Sequence, residues 1–109
     1  MMKSIFEKII ECFQSGKVLY TKHARDEMAF DEFGEILEQE VTEAICGGKI
    51  IEEYLEDEPY PSFLVSGRTS ANRPLHIVCA YAEDDSLSIV ITVYQPDPKR
   101  WINDERRRK

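Results

Sequence analysis

Apolar residues recur at helical spacing in the first part of the chain and at alternate positions later on. The first predicted helix has five apolar residues on one face: Ile5, Phe6, Ile9, Ile10 and Phe13. Ser4 and Glu7 have the spacing of a capping box, in which each side chain accepts a hydrogen bond from the other residue's backbone N–H. Gly16 stands where a C-terminal cap is expected.

Two further helices are predicted before residue 48. Residues 17–20 form a short extended candidate, and Thr21 then caps a second helix that runs to about Phe30. Gly34 interrupts the pattern, and Gly47-Gly48 ends the third helix. The apolar positions of that third helix are spaced i, i+4, i+7 and i+8: Leu37, Val41, Ala44 and Ile45.

The residue pattern in the second half of the chain predicts four consecutive strands, at about 49–55, 62–67, 75–82 and 87–95. Pro96 and Pro98 end the sheet because proline cannot donate to a strand ladder. Helices followed by strands indicate an α+β domain. We therefore expect N-terminal helices packed on one face of a four-stranded, mainly antiparallel sheet.

Side-chain alternation predicts how the last two strands pair. Placing their apolar residues together under the helices pairs Ile77 with Val93, which requires a turn with an odd number of residues. His76 then lies opposite Tyr94 on the other face. The two apolar sets are Leu75, Ile77, Cys79 and Tyr81 in one strand, and Ile89, Ile91 and Val93 in the other.

Length and composition favour one domain of an intracellular protein. The 109 residues fit a single domain, assigned here to 1–101, with a basic tail at 102–109. No apolar run approaches the length of a membrane span, and Glu7 interrupts what would be the apolar part of a signal peptide. The three cysteines have no C-x-x-C spacing, which is typical of free thiols in the cytoplasm.

Charge is unevenly distributed along the chain. Residues 26–58 hold 13 acidic side chains and one lysine, a net of −12, so the remainder carries +5 because the total is −7. An acidic chain does not attract nucleic acid through its overall field. Any such binding needs a local basic patch, for which the candidates are Arg68, Arg73, Lys99, Arg100 and the tail 106–109. The alternative for the tail is a solvated chain end.

His76, Tyr94 and Thr92 form the candidate acid–base group. A tyrosine hydroxyl fixes one imidazole tautomer and leaves the other nitrogen to exchange a proton. His23 lies in the first turn of the second helix and would act with His76. One histidine would remove a proton from a ribose 2′-hydroxyl, and the other, or Tyr94, would protonate the departing 5′-oxygen.

Simpler roles and one metal alternative remain open at this point. His76 would also serve as a strand residue hydrogen-bonded to Tyr94 for stability, and His23 as a surface residue. His23, Glu27 and His76 would provide three metal ligands, although two helical ligands at i, i+4 occur often by chance. Two loop arginines would hold a phosphate, and Trp101 would either stack on a base or close the edge of the core.

Four motifs carry a family resemblance: T-K-H-A-R-D-E-M (21–28), A-I-C-G-G-K-I-I-E (44–52), P-L-H-I-V (74–78) and I-T-V-Y-Q-P-D-P (91–98). Together they resemble the bacterial domain-of-unknown-function family number 4258, over about residues 17–101. That family is similar in expected fold to RelE/ParE-type toxins, which are small α+β ribonuclease-like domains. Relatives are often encoded beside a small antitoxin protein.

The resemblance implies a toxin-like, metal-independent endoribonuclease that needs no cofactor, with RNA and a small antitoxin as partners. It assigns the site to His23, His76, Thr92 and Tyr94. Relatives often carry arginines in the helix after the first histidine, where this chain has Glu27 and the acidic run at 31–32. The alternative is therefore a non-catalytic protein-binding module that keeps the fold.

Overall fold

The first helix is fixed at both ends by the residues that the sequence indicates. The computed structural model describes residues 2–107. Helix α1 spans Ile5–Ser15, and Ser4 Oγ accepts a hydrogen bond from the Glu7 N–H at 3.1 Å. The Glu7 carboxylate accepts from the Ser4 N–H in return, and Gly16 ends the helix at φ 75°. The predicted capping box and glycine cap are both confirmed.

Helices α2 (Lys22–Ala29) and α3 (Glu38–Cys46) complete the helical layer. Thr21 caps α2 as predicted, since its Oγ1 accepts from the Ala24 N–H at 3.1 Å. The predicted apolar stripe of α3 is wrong at Leu37, which is 56% exposed. Leu37 is the N-cap of α3 and has extended backbone angles, so its side chain leaves the helical stripe.

The main sheet has five strands rather than the four that were predicted, in the order β1-β5-β4-β3-β2. The additional strand is the short extended segment after α1, which pairs parallel with β5 and places Leu19 opposite Ile89. The other neighbours are antiparallel. The strands are β1 (Val18–Tyr20), β2 (Lys49–Tyr54), β3 (Ser62–Arg68), β4 (Pro74–Ala82) and β5 (Leu87–Tyr94).

The hydrophobic core lies between the three helices and one face of this sheet. Each helix contributes fully or nearly buried side chains, and the facing strands contribute alternate residues. The members of the core include Ile9, Phe13, Met28, Ile36, Val41, Ile45, Phe63, Val65, Leu75, Ile77, Tyr81, Val90 and Val93. The structure is therefore α+β with its helices on one side, as the sequence predicts.

The pairing of β4 with β5 confirms one prediction and corrects another. His76 lies opposite Tyr94 and Ile77 opposite Val93, as the apolar pattern requires. The turn, however, has four residues, 83–86, instead of an odd number. The four-residue turn is one residue too short for this register. A β-bulge at Ile91 makes up the difference, because Val78 pairs with Thr92 while Cys79 pairs with Val90. Val90 consequently faces the core, where the alternation had placed Ile89 and Ile91.

The chain after Pro98 forms a small hairpin over the face that the helices leave uncovered. Strands β6 (Trp101–Ile102) and β7 (Arg106–Arg107) pair antiparallel. Asn103 and Asp104 join them with φ of 53° and 60°, the left-handed conformation that tight hairpin turns require. These residues belong to the segment that the sequence assigned to a basic tail. Residues 108–109 of that segment lie outside the described residues.

Candidate functional site

His76 is a neutral, fully hydrogen-bonded imidazole beneath the hairpin. Its side chain is 0% exposed. Nε2 lies 2.6 Å from the backbone oxygen of Asp104, and Nδ1 lies 3.1 Å from the hydroxyl of Tyr94. Because a carbonyl oxygen only accepts hydrogen bonds, Nε2 carries the proton and Nδ1 accepts from the tyrosine. Burial lowers the pKa of His76, which favours this neutral state.

The cover over His76 is built from aromatic and cationic side chains of the hairpin. The Trp101 ring meets the imidazole edge-on, with 4.4 Å between ring centroids. The Arg107 guanidinium lies 4.7 Å from the Trp101 centroid and pairs with Glu52 at 3.1 Å. Trp101 is itself buried at 4% exposure. Its ring therefore closes this face of the sheet instead of being presented to an RNA base.

Asp104 anchors the tip of the hairpin to the sheet. Its backbone oxygen accepts from Ser66 Oγ at 3.0 Å as well as from His76. Its carboxylate pairs with Arg68 at 2.8 Å, and Lys49 forms an ion pair with the neighbouring Glu105. Arg68, a predicted phosphate ligand, is thus engaged in holding the hairpin.

Tyr94 and Thr92 lie on the same face as His76, in β5. Burial raises the pKa of Tyr94 to about 12, so the phenol keeps its proton at neutral pH. Thr92 lies opposite Val78, two positions from Tyr94 along the strand. The structure therefore brings Tyr94 into contact with His76 and places Thr92 in the next row of the same face.

His23 is the accessible histidine, and its partner is a carboxylate. Its side chain is 67% exposed, and Nε2 lies 3.3 Å from Glu27 Oε1, one helical turn away in α2. Glu27 Oε1 also accepts from the Val93 N–H at 3.1 Å, which ties the pair to β5. Burial raises the pKa of Glu27. His23 therefore pairs with Glu27, whereas His76 pairs with Tyr94 and Asp104, and the two rings do not form one acid–base couple.

A surface hollow of about 530 Å³ connects these two histidine environments. Glu27, the partner of His23, and Tyr94, the partner of His76, both line it. Arg100 and Arg107 also line it, as do three further carboxylates: Asp31, Glu32 and Asp97. Glu27 was considered from the sequence as a metal ligand and as a charge one helical turn from His23, and its position four residues after His23 is the helical spacing for direct contact. Arg107 was predicted only as part of the basic tail and was not singled out, because it is one of a run of basic residues.

The remaining predicted phosphate ligands have different surroundings. Arg73 is largely buried and donates to Gln95 Oε1 at 2.7 Å and to the backbone oxygen of Glu35 at 2.8 Å. It joins the chain between α2 and α3 to the sheet, so its donors are already used. Lys99 and Arg100 are exposed, and Arg100 lines the hollow.

Residues 2–107 contain neither a cluster of metal-binding side chains nor a helix suited to a membrane. Within that range, no group of three or more histidine, cysteine or acidic residues is placed to hold a metal ion, so His23, Glu27 and His76 are not brought together as one set of ligands. Both nitrogens of His76 are already hydrogen-bonded, which explains why it cannot complete the set. No helix in the same range has the length and apolar character needed to cross a membrane.

Comparison with known proteins gives one match. No curated protein and no solved structure matches the chain. Residues 20–95 match the family described as "Domain of unknown function (DUF4258)". The matched range runs from the end of β1 to the residue after β5, so it includes His23, Glu27, His76 and Tyr94. Since this range covers well over half of the sequence, the chain belongs to the DUF4258 family.

Proposed function

We propose that this protein is a metal-independent endoribonuclease of the RelE-like toxin type, with His23 as its general base. The observation that carries the proposal is the pairing of an exposed imidazole with a partly buried carboxylate, Glu27, that lines a hollow containing two arginines. A carboxylate that accepts from one ring nitrogen fixes the tautomer and stabilises the imidazolium that forms when the other nitrogen takes a proton. Glu27 Oε1 lies 3.3 Å from Nε2 of His23, near enough to take up that relation when RNA binds.

In the proposed reaction, Nδ1 of His23 removes the proton of a ribose 2′-hydroxyl, and the 2′-oxygen attacks phosphorus. The bond from phosphorus to the 5′-oxygen breaks, and the Tyr94 phenol protonates that oxygen. The products are a 2′,3′-cyclic phosphate and a 5′-hydroxyl. A leaving alkoxide is more basic than a phenol with a pKa of about 12, so this proton transfer is favourable. Arg100 and Arg107 would offset charge on the phosphorane.

His76 acts in this scheme as a positioning residue. Its Nδ1 accepts from the Tyr94 hydroxyl in the resting protein and so holds the phenol oxygen in place. The O–H must turn from Nδ1 toward the 5′-oxygen when it donates its proton. It does not contact the RNA, because it is fully buried. The carboxylates lining the hollow oppose a phosphate, so we expect weak RNA binding, and its salt dependence should be small because only two arginines face the phosphate.

The first prediction is that the purified protein cleaves single-stranded RNA in the presence of EDTA and leaves 2′,3′-cyclic phosphate ends. His23→Ala should lower the rate by about 10²–10⁴-fold, because it removes one positioned proton transfer. Lys22→Ala, a change at the neighbouring exposed residue of α2, is the matched control and should retain activity. Mass spectrometry of the RNA ends provides the measurement. Intact RNA after incubation with the wild-type protein, or full activity in His23→Ala, would refute the proposal.

A second function, a non-catalytic module that binds a protein partner such as a small antitoxin, is favoured by a different observation. Large apolar side chains are exposed between α2 and α3, where Phe30 is 85% exposed and Phe33 is 45% exposed. Expression in bacteria distinguishes the two functions. Growth arrest that His23→Ala relieves supports cleavage, whereas arrest that persists in His23→Ala supports binding.

A further inference from the structure

The eight residues from Phe30 to Leu37, here called the connector, expose three large apolar side chains. Phe30 is 85% exposed, Phe33 45% and Leu37 56%. Scattered single apolar residues are ordinary on protein surfaces, but three within one short segment mark a surface that a partner covers. A cavity of about 360 Å³ adjoins the connector and is lined by Met28, Ala29, Ile36 and Leu37, with Arg25 and Glu38 beside them.

The connector is held in one conformation by internal hydrogen bonds. Ile36 is buried, and its N–H donates to the backbone oxygen of Met28 at 2.8 Å. The Phe33 N–H donates to the Asp31 carboxylate at 3.0 Å. Arg73 reaches from the sheet to the backbone oxygens of Gly34 and Glu35. The exposed side chains therefore project from a backbone that is already ordered, which lowers the entropy cost of binding.

The charges around the connector select the partner. Arg25 pairs with Glu38, and Lys22 pairs with Asp26. Glu32 and Glu35 are exposed, and neither forms an ion pair within residues 2–107. A second copy of the chain would bring the same carboxylates together, and nucleic acid would be repelled. A cationic protein is the complementary partner.

The backbone of the connector indicates the shape of that partner. The N–H groups of Phe33, Gly34 and Ile36 and the carbonyl oxygens of Gly34 and Glu35 are already hydrogen-bonded within the chain, and the segment is not an edge of the sheet. Recognition by strand addition would need free backbone groups, whereas an amphipathic helix binds through side chains alone. We propose that the connector surface binds a basic amphipathic helix of another protein, whether or not the hollow cleaves RNA.

The test uses two synthetic helical peptides with the same stripe of leucines at i, i+3, i+4 and i+7. One carries lysine at all flanking positions, and the other carries glutamate. Fluorescence anisotropy should show micromolar binding of the lysine peptide and binding at least ten-fold weaker for the glutamate peptide. The double variant Phe30→Ser with Phe33→Ser should bind the lysine peptide at least ten-fold more weakly. The double variant Glu32→Lys with Glu35→Lys should prefer the glutamate peptide instead.

Leu55→Ser is the matched control, since Leu55 is also an exposed apolar residue but belongs to the chain between β2 and β3. It should leave the affinity unchanged, and unfolding midpoints should show that every variant is folded. Equal affinity for both peptides, no binding below about 1 mM, or unchanged binding in the double serine variant would overturn the proposal. Sedimentation that shows dimerisation lost in the serine variant would assign the surface to a second copy and overturn it as well.

Discussion

At the scale of single residues, the central finding is that His76 is buried and hydrogen-bonded at both ring nitrogens, as a residue with a structural role would be. Its two nitrogens join β4 to Tyr94 and to the hairpin, and no ring edge is left for a substrate. Burial disfavours the charged imidazole, so this arrangement stabilises the fold only while the histidine remains unprotonated. The same contacts that make His76 unsuitable as a base therefore make the fold sensitive to acid.

We predict that the protein loses stability as pH falls below about 6.5, the ordinary pKa of histidine. The unfolded chain binds a proton at His76 in that range, whereas the folded protein does not, because burial lowers the pKa. The free energy of unfolding should therefore fall by at most about 1.4 kcal/mol per pH unit from this residue. Urea unfolding at pH 7.5 and 5.5 measures the change.

His76→Gln separates this effect from other titrating groups. The amide can donate to Asp104 and accept from Tyr94 without titrating, so the variant should lose less stability at pH 5.5 than the wild type does. Glu27 contributes with the opposite sign, because its raised pKa stabilises the fold at low pH. The control is His23→Gln, which removes the exposed histidine and keeps the buried His76 ring. An unchanged pH dependence in His76→Gln would show that another group is responsible.

At this scale the sequence predicted the pairing of His76 with Tyr94 but not the cover above them. Alternation of apolar residues specifies which face a strand residue occupies, and that was enough for the pair. The cover depends on two strands of two residues each, Trp101–Ile102 and Arg106–Arg107, which are too short for any periodicity. The usable signal was Asn103-Asp104, since both residue types tolerate the left-handed conformation of a tight hairpin turn.

At the scale of elements, α3 and β3 are in contact through their backbones. A Cβ added at Gly67 would overlap the backbone carbonyl of Ala44, so only glycine permits this approach of helix and strand. The contact fixes how closely the helical layer lies on the sheet.

We predict that Gly67→Ala lowers the free energy of unfolding by more than about 2 kcal/mol, because the helix must move away from the sheet. Gly47→Ala is the matched control. Gly47 has φ of −108°, and a Cβ there would meet only ordinary contact at 3.9 Å. That variant should be within about 1 kcal/mol of the wild type or slightly more stable. Equal stability of the two variants in urea unfolding would contradict this description of the interface.

Helices were easier to predict than strand connections. Caps at Ser4, Thr21 and Gly16 are local, and each was found where the sequence placed it. Strand β1 has three residues, and its parallel partner lies about 70 positions later in the chain, so no local pattern specifies the pairing. The bulge at Ile91 was missed for a similar reason, because an added residue in a strand of β-branched residues leaves the composition unchanged.

At the scale of the whole molecule, the acidic segment 26–58 and the remainder of the chain are joined by ion pairs. Arg73 pairs with Glu40, Arg107 with Glu52, and Arg25 with Glu38. The acidic side chains outnumber the basic ones, 21 to 14, so seven carboxylates exceed the available partners. Repulsion among the excess carboxylates should then oppose folding at low salt.

We predict that raising NaCl from 20 to 300 mM raises the unfolding temperature by about 2–4 °C, because screening weakens this repulsion more than it weakens exposed ion pairs. Glu56→Gln with Glu58→Gln removes two charges from the loop between β2 and β3, and it should raise the unfolding temperature at 20 mM NaCl while reducing the salt effect. Calorimetry provides both values. A fall in unfolding temperature with salt would mean that the ion pairs dominate instead.

The bulge at Ile91 has a consequence for how the chain tolerates deletions. Removing Ile91 would leave every other β4–β5 pair in place and turn β5 into a regular strand, since Val78 would still face Thr92 and Cys79 would still face Val90. The backbone oxygen of Ile91, however, accepts from Thr21 Oγ1 at 3.3 Å. The extra residue thus serves the docking of the helix that carries His23, and a shortened chain would keep its sheet while losing the orientation of that helix.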